Sequence, residues 1–457
     1  MKQNSLKLHF FKRRGLRWVL SAALVGAVAF FATRLASAFT LYGPFDTWQV
    51  ERIGYNLPFN VDIGGPMNLG EEYRWNIRTI TFGFDESFKN YFGARGVEEV
   101  RKAVAILNSL PPFSKMSYDL SEFPLNTKRI NHRAAALFIA DLKSEALATL
   151  MEQMGLTSPE RYAWCVRRRD EFPNNVVRYA VIRRNFDPVT WAPSSYVNGV
   201  LYTYNVYEFT GTVTFCDAIE FPVDPLAETY TSVASAGNGW FGGVLLPGEF
   251  FSGLTRDDVG GLRYLYRPGN YNIEALVSNT TASGSSPFTV AGGVGSNVVN
   301  VALRPGVDKI TFVEAKYDST LGAFITLTNN STDSYVTNST LMTQRTSRIL
   351  VQPDIVFTAA DLDFAILART GPVGWANYDA LNGQIVLAGP GVITPQAAIT
   401  FNKVGPWNVN FNNSVQFTES GAFPSFVWGS FDGSTNAPVL YPQGTSLEDL
   451  ERLVLNP

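Results

Sequence analysis

Histidine is nearly absent from the 457 residues: only His9 and His132 occur. A chain with so few imidazoles cannot assemble a His-rich zinc site, and no Cys/His pair stands close enough in sequence to suggest a catalytic thiol. Cysteine is equally sparse, with only Cys165 and Cys216. In an oxidising compartment they would close one disulfide over a loop of about 50 residues; two buried free thiols are the alternative. Charged residues make up only 17%, and no Gly-x-Ser-x-Gly elbow, phosphate loop or EF-hand spacing occurs. Calcium ligands are conceivable in the oxygen-rich stretches 329–334 and 431–436, but neither has the spacing of a known loop. No internal repeat is evident.

What is present points outward from the cell. Lys2, Lys7, Lys12, Arg13, Arg14 and Arg17 precede a largely apolar run from Trp18 to Ala32, followed by Ala36-Ser37-Ala38 before Phe39. This is the pattern of a secretory leader over 1–38. The apolar run of 15 positions is short of the roughly 20 needed to span a bilayer, so no membrane span is expected after cleavage. The leader holds seven basic and no acidic residues, and its removal takes the net charge from −3 to −10. Such acidity disfavours nucleic acid as a partner, and the Arg167-Arg168-Arg169 cluster reads as a solvated segment. Exported, the chain would work outside the cell or in its envelope, on peptide, protein or carbohydrate.

Hydrophobic residues at 46% and aromatics at 13% give a globular, β-rich composition. Residues 39–75 have no sustained period and read as an extended arm across a domain surface. "TITFGFD" alternates like a strand. Val97, Val100, Val104 and Leu107 form one helical stripe that Pro111-Pro112 ends, and 134–142 reads as a buried strand. In 142–156, Leu147, Leu150, Met151 and Met154 fall on one helical face and Glu145, Ala148, Thr149 and Glu152 on another, with Gly155 as the cap. "VNGV" (197–200) is a hairpin turn. Thr255, Asp257 and Asp258 start a helix that Pro268 stops. Residues 271–300 are small and read as a linker or a weak first strand. From 301 onward short β runs alternate with turns, up to a last capped helix in "TSLEDLERLVL".

Three segments together resemble the catalytic domain of matrixins, a branch of the metzincin zinc proteases: "RTITFGFDESF", "MEQMGL" and "LTRDDVGGLRYLY". The resemblance implies an α+β fold. It consists of a matrixin-like mixed-sheet domain with a few helices over 76–270, a linker at 271–300, and an all-β, sandwich-like region of one or two modules over 301–457. It also implies where the family's chemistry would be. Two ligands one helical turn apart, a third past a glycine turn and a glutamate base would fall on Ala148, Glu152, Ser158 and Thr149. None matches the family, and of the three ligand positions only Glu152 has a side chain that could bind a metal. The family's methionine turn is missing too; "SVAS" (232–235) stands in its place. The expectation is therefore a chain without metal or cofactor and with no catalytic residues, its former active-site helix (Glu145, Ala148, Thr149, Glu152, Ser158) kept for binding.

The alternative is a hydrolase using Glu145 and Glu152, or Asp85. Seven residues separate the two glutamates, about 10 Å along a helix, wider than either glycosidase geometry. A solvated face paired with Lys143 or Arg161 is the simpler expectation for them. Trp375, Trp407 and Trp428 would serve a binding surface or pack in cores.

Overall fold

The computed structural model describes residues 37–50, 53–55, 64–210, 215–236, 245–278, 280–282, 299–362, 367–371, 373–377, 389–403 and 427–455. Residues 1–36 of the leader expected over 1–38, Trp407 and the small-residue stretch 283–298 lie outside them. The fold is α+β.

The strand β1 (Phe39–Gly43) is buried along its whole length. It pairs with 65–67, 156–157 and 185–186 in an antiparallel sheet. The arm expected on the surface is thus an interior strand. Ser37 and Ala38 ahead of it are buried as well.

The strand β2 (Thr79–Phe84) follows, then helix α1 (Glu86–Ser109). Asp85 caps α1, accepting from the Phe88 N–H at 2.9 Å, so its carboxylate has a structural task. Gly93 breaks the helix at φ 62°; a Cβ there would strike the side chain of Gln443. Val97, Val100, Val104 and Leu107 all face the core. Only the end of the expected strand 134–142 is extended, as β3 (Ile139–Asp141), because Asn131 caps a short helix over His132–Ala136. His132 itself is exposed. Helix α2 (Leu142–Gln153) runs directly out of β3. Two long hairpins, 165–182 and 200–222, then extend the chain, and Arg168 lies on the first of them in solvent. Asn198 and Gly199 sit at φ 44° and 89°, the left-handed pair that a tight two-residue hairpin loop requires. Helix α3 (Arg256–Tyr266) carries a full capping box between Thr255 and Asp258.

The region after 300 is not a sandwich of its own. The strands β4 (Thr311–Glu314), β7 (Ile355–Ala360), β8 (Ala368–Thr370) and β9 (Ala397–Asn402) join β2 in one five-stranded sheet of order β4-β2-β7-β9-β8. All neighbours in it are parallel except β8 and β9. Further on, β10 (Val427–Ser430) pairs in parallel with β3, and 391–394 pairs with 73–74. The long hairpin of β5 (Leu327–Thr337) and β6 (Thr340–Leu350) forms an antiparallel sheet with 272–275, 301–304 and 280–282. Residues 272–275, in the stretch read as a linker or a weak first strand, are a strand of that sheet. The candidate calcium stretch 329–334 is likewise strand, inside β5.

The physical reason is burial on both faces. β7, β9 and β10 read IVFTAA, AAITFN and VWGS, nearly continuous apolar runs rather than strict alternation. Such runs suit parallel strands covered on both sides. One apolar core runs through both halves, from Phe39 to Tyr441, and Trp428 packs edge-on against Phe92 and Phe401.

Candidate functional site

Helix α2 is held at both ends. Asp141 accepts from the Ser144 N–H at 3.0 Å and from its hydroxyl, and the Ser144 hydroxyl oxygen accepts from the Phe251 N–H at 2.8 Å. At the other end the Trp75 indole donates to the Gln153 carbonyl (2.6 Å) and the Tyr266 hydroxyl to the Met154 carbonyl (2.7 Å). Gly155 then turns the chain at φ +93°, where a Cβ would strike the Tyr73 carbonyl.

Every residue from Ser144 to Gln153 is buried, so the helix has no solvated face. Ala148, Thr149 and Ser158 are fully buried and Glu145 and Glu152 are each 3% exposed. The turn over 233–235 and the strand β8 pack on the helix, and the Thr370 hydroxyl of β8 donates to Glu152 at 3.3 Å. The Thr149 hydroxyl is spent on its own helix, donating to the carbonyls of Glu145 (2.9 Å) and Ala146 (3.1 Å). Neither expected cation answers the glutamates. Arg161 pairs with Asp217 at 2.6 Å, and Lys143 lies over the Phe250 ring at 5.6 Å. Burial, together with the charges of Glu152 and Asp141, pushes Glu145 up to about 8. Asp141 is pushed by burial to about 6.

Ser158 meets the "SVAS" turn. Its hydroxyl donates to the Ser235 oxygen at 3.1 Å, and the Ser235 hydroxyl donates to Glu160. Glu160 also accepts from the Thr231 N–H (3.0 Å), and burial holds it near 7. Asp258, reaching from α3, binds the same turn through the Ser232 hydroxyl (2.6 Å) and the N–H groups of Val233 and Ala234 (both 3.1 Å). Beside it, burial pushes Asp257 well up, partly offset by the backbone N–H groups of Ala38 and Asn198. Residues 148, 149, 152, 158 and 232–235 are thus gathered around one helix. Among the described residues they form packed interior.

The cysteines correct a second expectation. Both thiols are free and buried, one on each long hairpin, sharing a small core with Ile53, Tyr55 and Tyr162. Burial pushes Cys165 far up and Cys216 to about 11. They pack as small apolar residues.

A charged network that starts at Arg74, next to the Trp75 that holds the end of α2, was not anticipated. Arg74, entirely buried, pairs with Glu274 at 2.7 Å and donates to the carbonyls of Leu265 and Asn270. Arg304 pairs with Asp333 at 3.0 Å, and Arg348 with Asp354 at 2.6 Å. Asp354 also accepts from the Thr81 N–H (2.8 Å) and hydroxyl (2.9 Å), tying this network to the central sheet. A signal existed: Arg348 has the same parity in β6 as the buried Thr346 and Leu350, marking an arginine that points inward.

Among the described residues no group of three or more His, Cys, Asp or Glu side chains is placed to hold a metal ion. Likewise, no described helix is long and apolar enough to cross a membrane. Comparison with protein-family models, curated proteins and solved structures gives no match.

Proposed function

We propose that this chain is an exported or cell-envelope protein whose protease-like region is non-catalytic and serves binding or structure. The carrying observation is the closure of α2: every side chain that would hold a metal or activate water in a matrixin is sealed under β8 and the 232–236 turn. The order of parts supports the matrixin-like ancestry: strand, long helix, buried second helix ending in a glycine turn, a tight turn against residue 158, and a closing helix with paired aspartates. The sealed helix leaves partner contact to the exposed parts of the chain. The two long hairpins offer it, with Phe172, Val176, Tyr207 and Phe221 in solvent. A peptide, protein or carbohydrate partner suits such amphipathic surfaces.

A carboxylate-based hydrolase requires water and substrate to reach Glu145 or Glu152, which their burial opposes. The test is a peptidase and glycosidase panel, with metal analysis, on the purified chain lacking residues 1–38. Hydrolysis above buffer is not expected. Activity abolished by a chelator, or lost in Glu152→Gln while the fold is retained, would overturn the reading.

A further inference from the structure

Between the antiparallel sheet of 272–350 and the segment 76–78 that leads into β2 lies a cavity of about 40 Å³, on a scale where one water takes roughly 10–15 Å³. Its lining holds three arginines, Arg78, Arg304 and Arg348, against one carboxylate, Asp333. Hydroxyls of Thr280, Ser331 and Thr346 complete the polar wall. Asp333 neutralises Arg304, and Asp354 behind the wall neutralises Arg348. Arg78 stands exposed at the rim with no ion pair among the described residues. The surplus is one positive charge, which favours a small anion over a cation.

Two buried atoms narrow the ligand further. Arg348, 2% exposed, has its Nε–H without an acceptor, and Asn76, 8% exposed, has its Oδ1 without a donor among the described residues. The orientation of Asn76 is fixed because its Nδ2 donates to the Ala275 carbonyl at 2.6 Å. A buried donor and a buried acceptor left unpaired are both costly. A fully ionised anion would satisfy the arginine and repel the amide oxygen; a cation would do the reverse. An ion with acidic oxygens and one remaining O–H satisfies both.

We propose that this cavity binds a small oxyanion that keeps a proton, of the hydrogen phosphate and bicarbonate class. The cavity is of a size for a small ion and opens at the Arg78 rim. The site is independent of the reading of α2 and would stand if that reading failed.

The test uses the purified chain with phosphate, bicarbonate or sulfate at matched ionic strength, read by titration calorimetry and by the thermal midpoint. Saturable binding of phosphate or bicarbonate is expected, with Kd on the order of 1 mM or tighter and a midpoint that rises with ligand concentration. Sulfate should bind at least about tenfold more weakly because it cannot donate to Asn76. Arg78→Ala, a rim change that leaves the packing intact, should weaken phosphate at least about fivefold. The proposal falls if neither phosphate nor bicarbonate saturates, if sulfate binds as well, or if Arg78→Ala binds unchanged.

Discussion

Glu145 holds its proton at neutral pH because burial and two neighbouring carboxylates disfavour its charge. The unfolded chain releases that proton near the ordinary 4.5, whereas the folded chain releases it near 8. Between those values the folded state binds more protons, so stability falls as pH rises through the window. Asp141 and Glu160, raised to about 6 and about 7, act in the same direction. Denaturant midpoints should therefore be lower at pH ~8 than at pH ~5, and Glu145→Gln should recover on the order of 2 kcal/mol of that loss. An unchanged slope in the variant would contradict the assignment. The cysteines give a second measurement at this scale. Buried and raised in pKa, neither should react with a thiol reagent in the native chain, while both should react once it is denatured without reductant. A denatured chain with no titratable thiol would mean that they are bonded.

Among the elements, α3 shows how one side chain can hold two pieces of backbone. Asp258 closes the capping box with Thr255, accepting from its N–H at 2.8 Å and its hydroxyl at 2.6 Å, and also fastens the turn 232–236. Thr255→Ala removes only part of the cap and should cost about 1 kcal/mol. Asp258→Ala also leaves buried N–H groups unpaired and should cost more than about 3 kcal/mol. Equal losses in the two, measured by chemical denaturation, would show that the turn does not depend on Asp258. The capping box and the stripe of α1 were legible in sequence because both are local patterns. The setting of α2 was not. Its glutamates and threonine sit at helical spacing on one side, which reads as a wet face, and the 232–236 turn and the strand β8, both distant in sequence, cover them.

For the whole molecule, the decisive fact is that β2 has both neighbours supplied from beyond residue 300. A fragment of 39–270 would expose both edges of β2 and the apolar faces that β7, β9 and β10 cover. It should fail to unfold cooperatively and should aggregate, whereas the chain from 39 to 457 should show one transition. A soluble 39–270 fragment with a sharp melting transition would restore the two-domain division.

The sequence alone determined what depends on composition and neighbours a few positions apart: a β-rich globular chain, the helix stripes and caps, the tight hairpin turn and the want of histidines for a tri-histidine site. Tertiary structure alone decided which strands pair across hundreds of residues, that the glutamate-bearing helix is interior, and that arginines converge beneath the antiparallel sheet. A continuous apolar run marks a strand covered on both faces but not which strand it pairs with, and burial of a charged side chain depends on what arrives from elsewhere in the chain.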